Sequence, residues 1–117
     1  MAILRILIIE DEPVIAMLFE ELLKEMGHEI VGIAANESDA VAAALKHKPD
    51  LMFVDARLGK GSGIAAVKEI LLTGFIPHVF TSGDSSSVRA QRPGAIVISK
   101  PFREPDLIRA IELALTY

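Results

Sequence analysis

The chain has 117 residues, of which 51% are hydrophobic and 24% are charged, with a net charge of −4. This length fits one domain over residues 1–117 with a real hydrophobic core, and the acidic balance argues against nucleic acid as a direct partner. The absence of cysteine excludes disulfides, and no apolar run approaches the roughly 20 residues that cross a bilayer. The acidic residues at 10–12 interrupt the apolar start, which argues against a signal peptide. We therefore expect a soluble cytoplasmic domain without a membrane partner.

A strand followed by an acidic corner opens the chain. Residues 6–9 are four consecutive aliphatic residues, which is typical of a strand buried on both faces of a parallel sheet, and we predict a strand over 3–9. The acidic residues 10–12 follow directly. Pro13 suits the first turn of a helix, because its missing N–H would have no partner there. An open α/β sheet carries its ligand crevice at the carboxyl ends of its strands, so we expect the carboxylates at that edge.

Extended and helical patterns alternate along the rest of the chain. The predicted strands cover 29–34, 51–54, 77–81 and 95–98, and the predicted helices cover 13–26, 36–48, 64–72 and a last segment from Pro105. Residues 59–63 are predicted to form a loop. Residues 85–92 should give at most two turns of helix, because three serines and one large apolar residue offer little propensity and little to bury. The apolar stripe predicted for the first helix contains Val14, Met17, Leu18, Leu22 and Met26.

Five strand and helix pairs indicate an α/β fold with a five-stranded parallel sheet, doubly wound as (βα)5 with right-handed crossovers. The strand ends should then share one edge. The polar residues at those ends are Glu10, Asp11, Asp55, Thr81 or Ser82, and Lys100. Strand alternation directs Thr81 and Ser82 to opposite sides, and Ser82 is the preferred candidate.

The chemistry of this edge points to phosphoryl transfer. Carboxylates crowded together repel, and a hard cation such as Mg²⁺ relieves that repulsion. A lysine and a hydroxyl beside it can hold the oxygens of a transferring phosphoryl group. Asp55 is then a plausible nucleophile.

In this order, the strand-end residues resemble the receiver domain of two-component response regulators, and the resemblance covers essentially the whole chain. The matching features are the acidic pair Glu10 and Asp11, the phosphoacceptor Asp55, Gly63 eight residues further on, Ser82-Gly83, and Lys100-Pro101-Phe102. The resemblance implies a flavodoxin-like receiver fold. It also implies that Asp55 accepts a phosphoryl group from a histidine kinase or a histidine phosphotransfer protein, and that the domain then binds an unidentified downstream protein.

The resemblance also implies roles for the site residues. The implied Mg²⁺ ligands are the carboxylates of Asp11 and Asp55, the backbone carbonyl of Arg57 and, through water, Glu10. Lys100 would pair with the phosphoryl group, and Ser82 would move toward it as the switch. The Lys100–Pro101 peptide bond would be cis. Catalysis would be limited to the domain's own phosphorylation and dephosphorylation.

Three departures from the family pattern accompany these matches. Gly59 stands where the family usually has proline, which predicts a looser loop and weaker Mg²⁺ binding. Val97 replaces the usual switch aromatic. The segment from Ser82 to Lys100 is short and rich in serine, which predicts a short or irregular fourth helix and an altered output surface.

Two other functions stay open. One is a phosphorylation-independent binding module with the receiver fold, which the departures favour. The other is an Mg²⁺-dependent aspartyl-phosphate phosphotransferase or phosphatase, although such enzymes typically carry an aspartate where this chain has Arg57. The chain ends just past the last helix, so we expect a stand-alone regulator, or a receiver excised from a longer chain, and a homodimer is compatible with the sequence.

Overall fold

Parallel strands flanked by helices build the molecule, and the computed structural model describes residues 2–116. The elements in chain order are β1 (Arg5–Ile9), α1 (Pro13–Glu25), β2 (Glu29–Ala34), α2 (Glu37–His47), β3 (Leu51–Asp55), β4 (Arg57–Leu58), β5 (Gly61–Ser62), α3 (Gly63–Ile70), a 3₁₀ turn (Leu71–Thr73), β6 (His78–Ser82), α4 (Ser85–Gln91), β7 (Val97–Ser99) and α5 (Glu104–Leu115). Five strands form one parallel sheet in the order β2-β1-β3-β6-β7. The predicted fold class is confirmed.

The sheet separates two apolar layers. One layer contains buried residues of α1 and α5, namely Ala16, Phe19, Leu23, Leu107, Ala110, Ile111 and Ala114. The other contains buried residues of α2, α3 and α4, namely Ala40, Ala44, Ile64, Ala66, Val67, Ile70 and Val88. The central strands are covered on both faces, which explains why residues 6–9 and 51–54 are apolar without alternation.

The predicted buried face of α1 is correct for Leu22 and Met26, which are half-buried against the core, and wrong for the other three residues. Val14, Met17 and Leu18 are exposed, whereas Ala16, Phe19 and Leu23 face the sheet. Because apolar residues surround much of this helix, their spacing does not define a single stripe. The aromatic neighbours decide the register, since the Phe19 ring stacks on Phe102 with ring centroids 4.6 Å apart.

A hairpin replaces the loop that was predicted over residues 59–63. β4 and β5 pair antiparallel, with Arg57 opposite Ser62 and Leu58 opposite Gly61. Gly59 lies in the two-residue turn between them with a φ of 55°. Proline cannot adopt a positive φ, so the glycine that departs from the family pattern is what this turn requires.

The remaining helices agree with their sequence signals. The Asn36 side chain caps α2 by accepting a hydrogen bond of 2.8 Å from the backbone N–H of Asp39. Helix α4 spans seven residues, as short as predicted, with Val88 as its buried residue. Within residues 2–116, no helix has both the length and the apolar character that crossing a membrane requires.

Candidate functional site

The carboxyl ends of the strands form one cleft. Asp55 and Ser82 are the last residues of β3 and β6, Glu10 follows β1, and Lys100 follows β7. Asp11, Asp55, Ser82 and Lys100 line a cleft of about 650 Å³, and Glu10 is buried beside it with an exposure of 2%. The structure therefore brings together the residues that the sequence placed at separate strand ends.

Asp55 is held through both carboxylate oxygens. Its Oδ1 accepts a hydrogen bond of 3.0 Å from the backbone N–H of Arg57, and its Oδ2 lies 2.8 Å from Lys100 Nζ. The residue is buried, yet it lines the cleft. One carboxylate is thus fixed in orientation and remains accessible to a reactant.

Lys100 is the cation of the site. Its Nζ contacts Asp55 Oδ2 and lies 3.7 Å from Glu10 Oε1, while its backbone N–H donates to the Ser82 carbonyl at 2.9 Å. Partial burial lowers the pKa of Lys100, but the hydrogen bond and charge of Asp55, with the charge of Glu10, outweigh burial and raise it. The lysine therefore stays protonated. The Lys100–Pro101 bond is cis, as the resemblance implied.

Glu10 is the most perturbed carboxylate. Burial raises its pKa to about 7, the backbone N–H of Glu12 at 3.0 Å from Oε2 opposes this, and the nearby charge of Asp55 raises the pKa further. The other oxygen, Oε1, is buried and has no hydrogen-bond partner. At 3.7 Å, the Lys100 ammonium is too far away to supply one. The site therefore contains a buried carboxylate oxygen that no hydrogen-bond donor contacts.

The donor set fits Mg²⁺. One oxygen each from Glu10, Asp11 and Asp55 lies within 4.8 Å of the others, and Arg57 lines the same cleft. Such a group of hard oxygen donors is what Mg²⁺ prefers. If Lys100 alone neutralised the three carboxylates, Glu10 Oε1 would be left without a hydrogen-bond partner. This oxygen therefore favours a bound cation.

The hydroxyl candidates differ as alternation predicts. Ser82 lines the cleft, and its Oγ accepts a hydrogen bond of 2.9 Å from the backbone N–H of Asp84. Thr81 is buried, and its Oγ1 has no hydrogen-bond partner and does not line the cleft. Of these two candidates, Ser82 is thus the one that lines the cleft with Lys100 and Asp55.

The structure adds the reason for one sequence match and one contact that the motifs do not contain. Gly63 begins α3 against the end of β3, where a Cβ would overlap the Asp55 carbonyl oxygen, so the eight-residue spacing from Asp55 to Gly63 has a steric cause. Glu37 lies within the predicted helix over 36–48, and no function was predicted for it. In the structure its side chain reaches the β4–β5 hairpin and accepts a hydrogen bond from the backbone N–H of Ser62. No local pattern marks a contact between residues so far apart in the chain.

The chain is similar in sequence and structure to known proteins. A family model described as "Response regulator receiver domain" matches residues 6–112. The transcriptional regulatory protein PdtaR of Mycobacterium tuberculosis is 42% identical over 116 residues, covering 96% of this chain and 57% of PdtaR. The phyllosphere-induced regulator PhyR of Methylorubrum extorquens is 39% identical, covering 96% of this chain and 43% of PhyR. This chain thus spans about half the length of these two relatives.

A solved structure extends the comparison. The solution NMR structure of the Erythrobacter litoralis PhyR response regulator REC domain has a TM-score of 0.88 and 36% identity to this chain, covering 99% of this chain and 92% of that domain.

Proposed function

Because the chain belongs to the response regulator receiver domain family, we propose that it is a phosphorylation-dependent signalling switch with Asp55 as the phosphoacceptor. The observation that carries this proposal is the set of contacts around Asp55. A buried carboxylate faces the cleft, a lysine ammonium lies 2.8 Å from one of its oxygens, and two further carboxylates stand beside it.

The proposed reaction moves a phosphoryl group from a phosphohistidine to Asp55. A carboxylate oxygen of Asp55 attacks phosphorus while the phosphorus–nitrogen bond breaks, and the imidazole leaves with the bonding electron pair. Such transfers depend on positioning and on stabilising charge rather than on covalent help from other groups. Lys100, already paired with Asp55 Oδ2, is placed to follow the negative charge onto the phosphoryl oxygens.

We assign the cation to the acidic cluster. Asp11, Asp55 and the backbone carbonyl of Arg57 would hold Mg²⁺, with Glu10 acting through water. When bound, the ion neutralises the carboxylates and the incoming phosphoryl group, which otherwise repel each other. Two observations support this assignment: Glu10 Oε1 is buried without a hydrogen-bond partner, and the nearby charge of Asp55 adds to burial in raising the pKa of Glu10.

The switch itself is assigned to Ser82 and the segment after it. A phosphoryl group adds roughly −1.5 to −2 charges and three strong acceptors. Ser82 Oγ accepts from the Asp84 N–H that precedes α4, so movement of this hydroxyl toward the phosphoryl group would lengthen that hydrogen bond. The Ser85 and Ser99 hydroxyls are hydrogen-bonded, which links the start of α4 to the end of β7. A change from about 1:99 to 99:1 requires roughly 5.5 kcal/mol of preference for the active arrangement.

The proposed partners follow from the reaction. A histidine kinase or a histidine phosphotransfer protein supplies the phosphoryl group, and a downstream protein reads the changed surface of α4 and β7.

Labelled acetyl phosphate or phosphoramidate with Mg²⁺ tests the proposal. The wild type should retain stable label, and both Asp55→Asn and chelation of Mg²⁺ should abolish it. Asp39→Asn is the matched control, because Asp39 is an exposed carboxylate that does not line the cleft. Absence of label in the wild type would instead favour the phosphorylation-independent binding module. Repeated turnover with release of product would favour the phosphotransferase.

A further inference from the structure

The first residue of α2 crosses to the hairpin that follows the acceptor strand. Glu37 Oε2 accepts a hydrogen bond of 2.9 Å from the backbone N–H of Ser62, a residue 25 positions further along the chain. Glu37 takes part in none of the ion pairs found among residues 2–116. Its half-buried carboxylate is therefore committed to the hairpin backbone rather than to a lysine or an arginine.

Gly61 is shaped to receive this carboxylate. A Cβ at position 61 would lie 2.5 Å from Glu37 Oε2 and 3.3 Å from its Cδ. The side chain thus lies directly against the backbone of β5. Two consecutive residues of that short strand are engaged, Gly61 by contact and Ser62 by a hydrogen bond.

A short chain of contacts connects this point to the acceptor. Ser62 pairs across the hairpin with Arg57, and the backbone N–H of Arg57 donates to Asp55 Oδ1 at 3.0 Å. The N–H of Gly63, next to Ser62, donates to the Ala56 carbonyl at 2.9 Å. Holding Ser62 therefore restrains both residues that follow Asp55.

We propose that Glu37 is a positioning residue that holds the β4–β5 hairpin so that the Arg57 carbonyl and the Asp55 carboxylate share one cation. This role rests on the proposed function. The turn of the hairpin contains Gly59 at a positive φ, which glycine adopts freely, so the turn itself adds little stiffness. The hydrogen bond from Ser62 to Glu37 restrains the hairpin from α2 instead.

Three substitutions separate the tether from general effects on the fold. Glu37→Ala removes the acceptor, and Glu37→Gln keeps an oxygen that can accept from Ser62 while removing the charge. Gly61→Ala keeps Glu37 but pushes its carboxylate away from the backbone. Glu69→Ala, at an exposed acidic residue of α3, is the control for loss of one negative charge. Urea unfolding establishes that each variant is folded before the measurements.

The measurements are amide hydrogen exchange at Ser62 and Arg57 in metal-free protein, and Mg²⁺ titration by NMR. Glu37→Ala should speed exchange at Ser62 and weaken Mg²⁺ binding about tenfold, the lower end of what loss of an outer-shell partner costs a metal site. Glu37→Gln and Glu69→Ala should keep wild-type values. Gly61→Ala should match Glu37→Ala and add nothing when combined with it, because both remove the same contact.

The proposal would be overturned if Glu37→Ala kept the wild-type exchange at Ser62 and the wild-type Mg²⁺ affinity. It would also be overturned if Glu37→Gln lost as much Mg²⁺ affinity as Glu37→Ala, or if the effects of Glu37→Ala and Gly61→Ala on that affinity were additive. Failure of the proposed function looks different. The wild type would then bind no Mg²⁺ and take no label at Asp55, while exchange at Ser62 would still report on the tether in metal-free protein.

Discussion

Replacement of Glu10 by glutamine should stabilise the metal-free protein at alkaline pH. Glu10 is 2% exposed, and burial is the main reason why its pKa rises from 4.5 to about 7, with a further contribution from the charge of Asp55. The folded state binds this proton more tightly than the unfolded chain does. Stability is therefore lost as pH rises from about 4.5 to 7.

The size of the effect follows from the two pKa values. A change from 4.5 to about 7 corresponds to about 3 kcal/mol once Glu10 is fully ionised, at about 1.4 kcal/mol per tenfold change in proton affinity. Glutamine avoids this cost and keeps an oxygen for the Glu12 N–H. Glu10→Gln should thus gain about 2–3 kcal/mol at pH 8, or about 10 °C in Tm for a domain of this size, and little at pH 5.

Urea unfolding in EDTA at pH 5 and pH 8 measures this directly. The difference between variant and wild type is the quantity of interest, because the contributions of titrating groups that do not interact with Glu10 cancel in it. Glu12→Gln, at an exposed residue of the same acidic run, is the matched control and should show no gain. Saturating Mg²⁺ should reverse the order, since the ion stabilises the wild-type carboxylates. If the free energy of unfolding depended on pH equally in Glu10→Gln and the wild type, the idea that ionised Glu10 destabilises the metal-free fold would be refuted.

Other predictions concern the core, a buried histidine and the lysine. Phe19→Ala should lower the free energy of unfolding by about 3–5 kcal/mol, as truncation of a buried aromatic usually does. Met17→Ala should change it by about 0.5 kcal/mol or less in the same urea experiment, because Met17 is exposed. Equal losses would contradict the observed orientation of α1. His28 Nδ1 accepts a hydrogen bond from the Leu4 N–H, and burial lowers the pKa of His28 below 6.5. The free energy of unfolding should therefore fall as pH drops below 6.5, and fall less in His28→Gln. The same dependence on pH in both proteins would argue against this. Lys100→Ala should retain the fold by circular dichroism but take up little label, and unfolding would place the lysine in the core rather than at the site.

The sequence by itself determined the fold class and the members of the candidate cleft. Four of the five strands end in, or are followed directly by, a polar residue, and a parallel sheet places all carboxyl ends on one edge. Asp11, Asp55 and Lys100 could therefore be expected together although they are distant in the chain. This inference needs only the order of the elements. It does not depend on how any helix is rotated.

Rotation, burial and cross-chain contacts were decided by the tertiary structure. Apolar residues lie on several sides of α1, and only the packed structure shows that Phe19, against the rings of Phe53 and Phe102, is buried while Met17 is exposed. The raised pKa of Glu10 depends on how completely its neighbours exclude water, which no local pattern encodes. The contact of Glu37 with Ser62 joins two segments that meet only after α2 and α3 have packed on the same face of the sheet, so periodicity and spacing carry no trace of it.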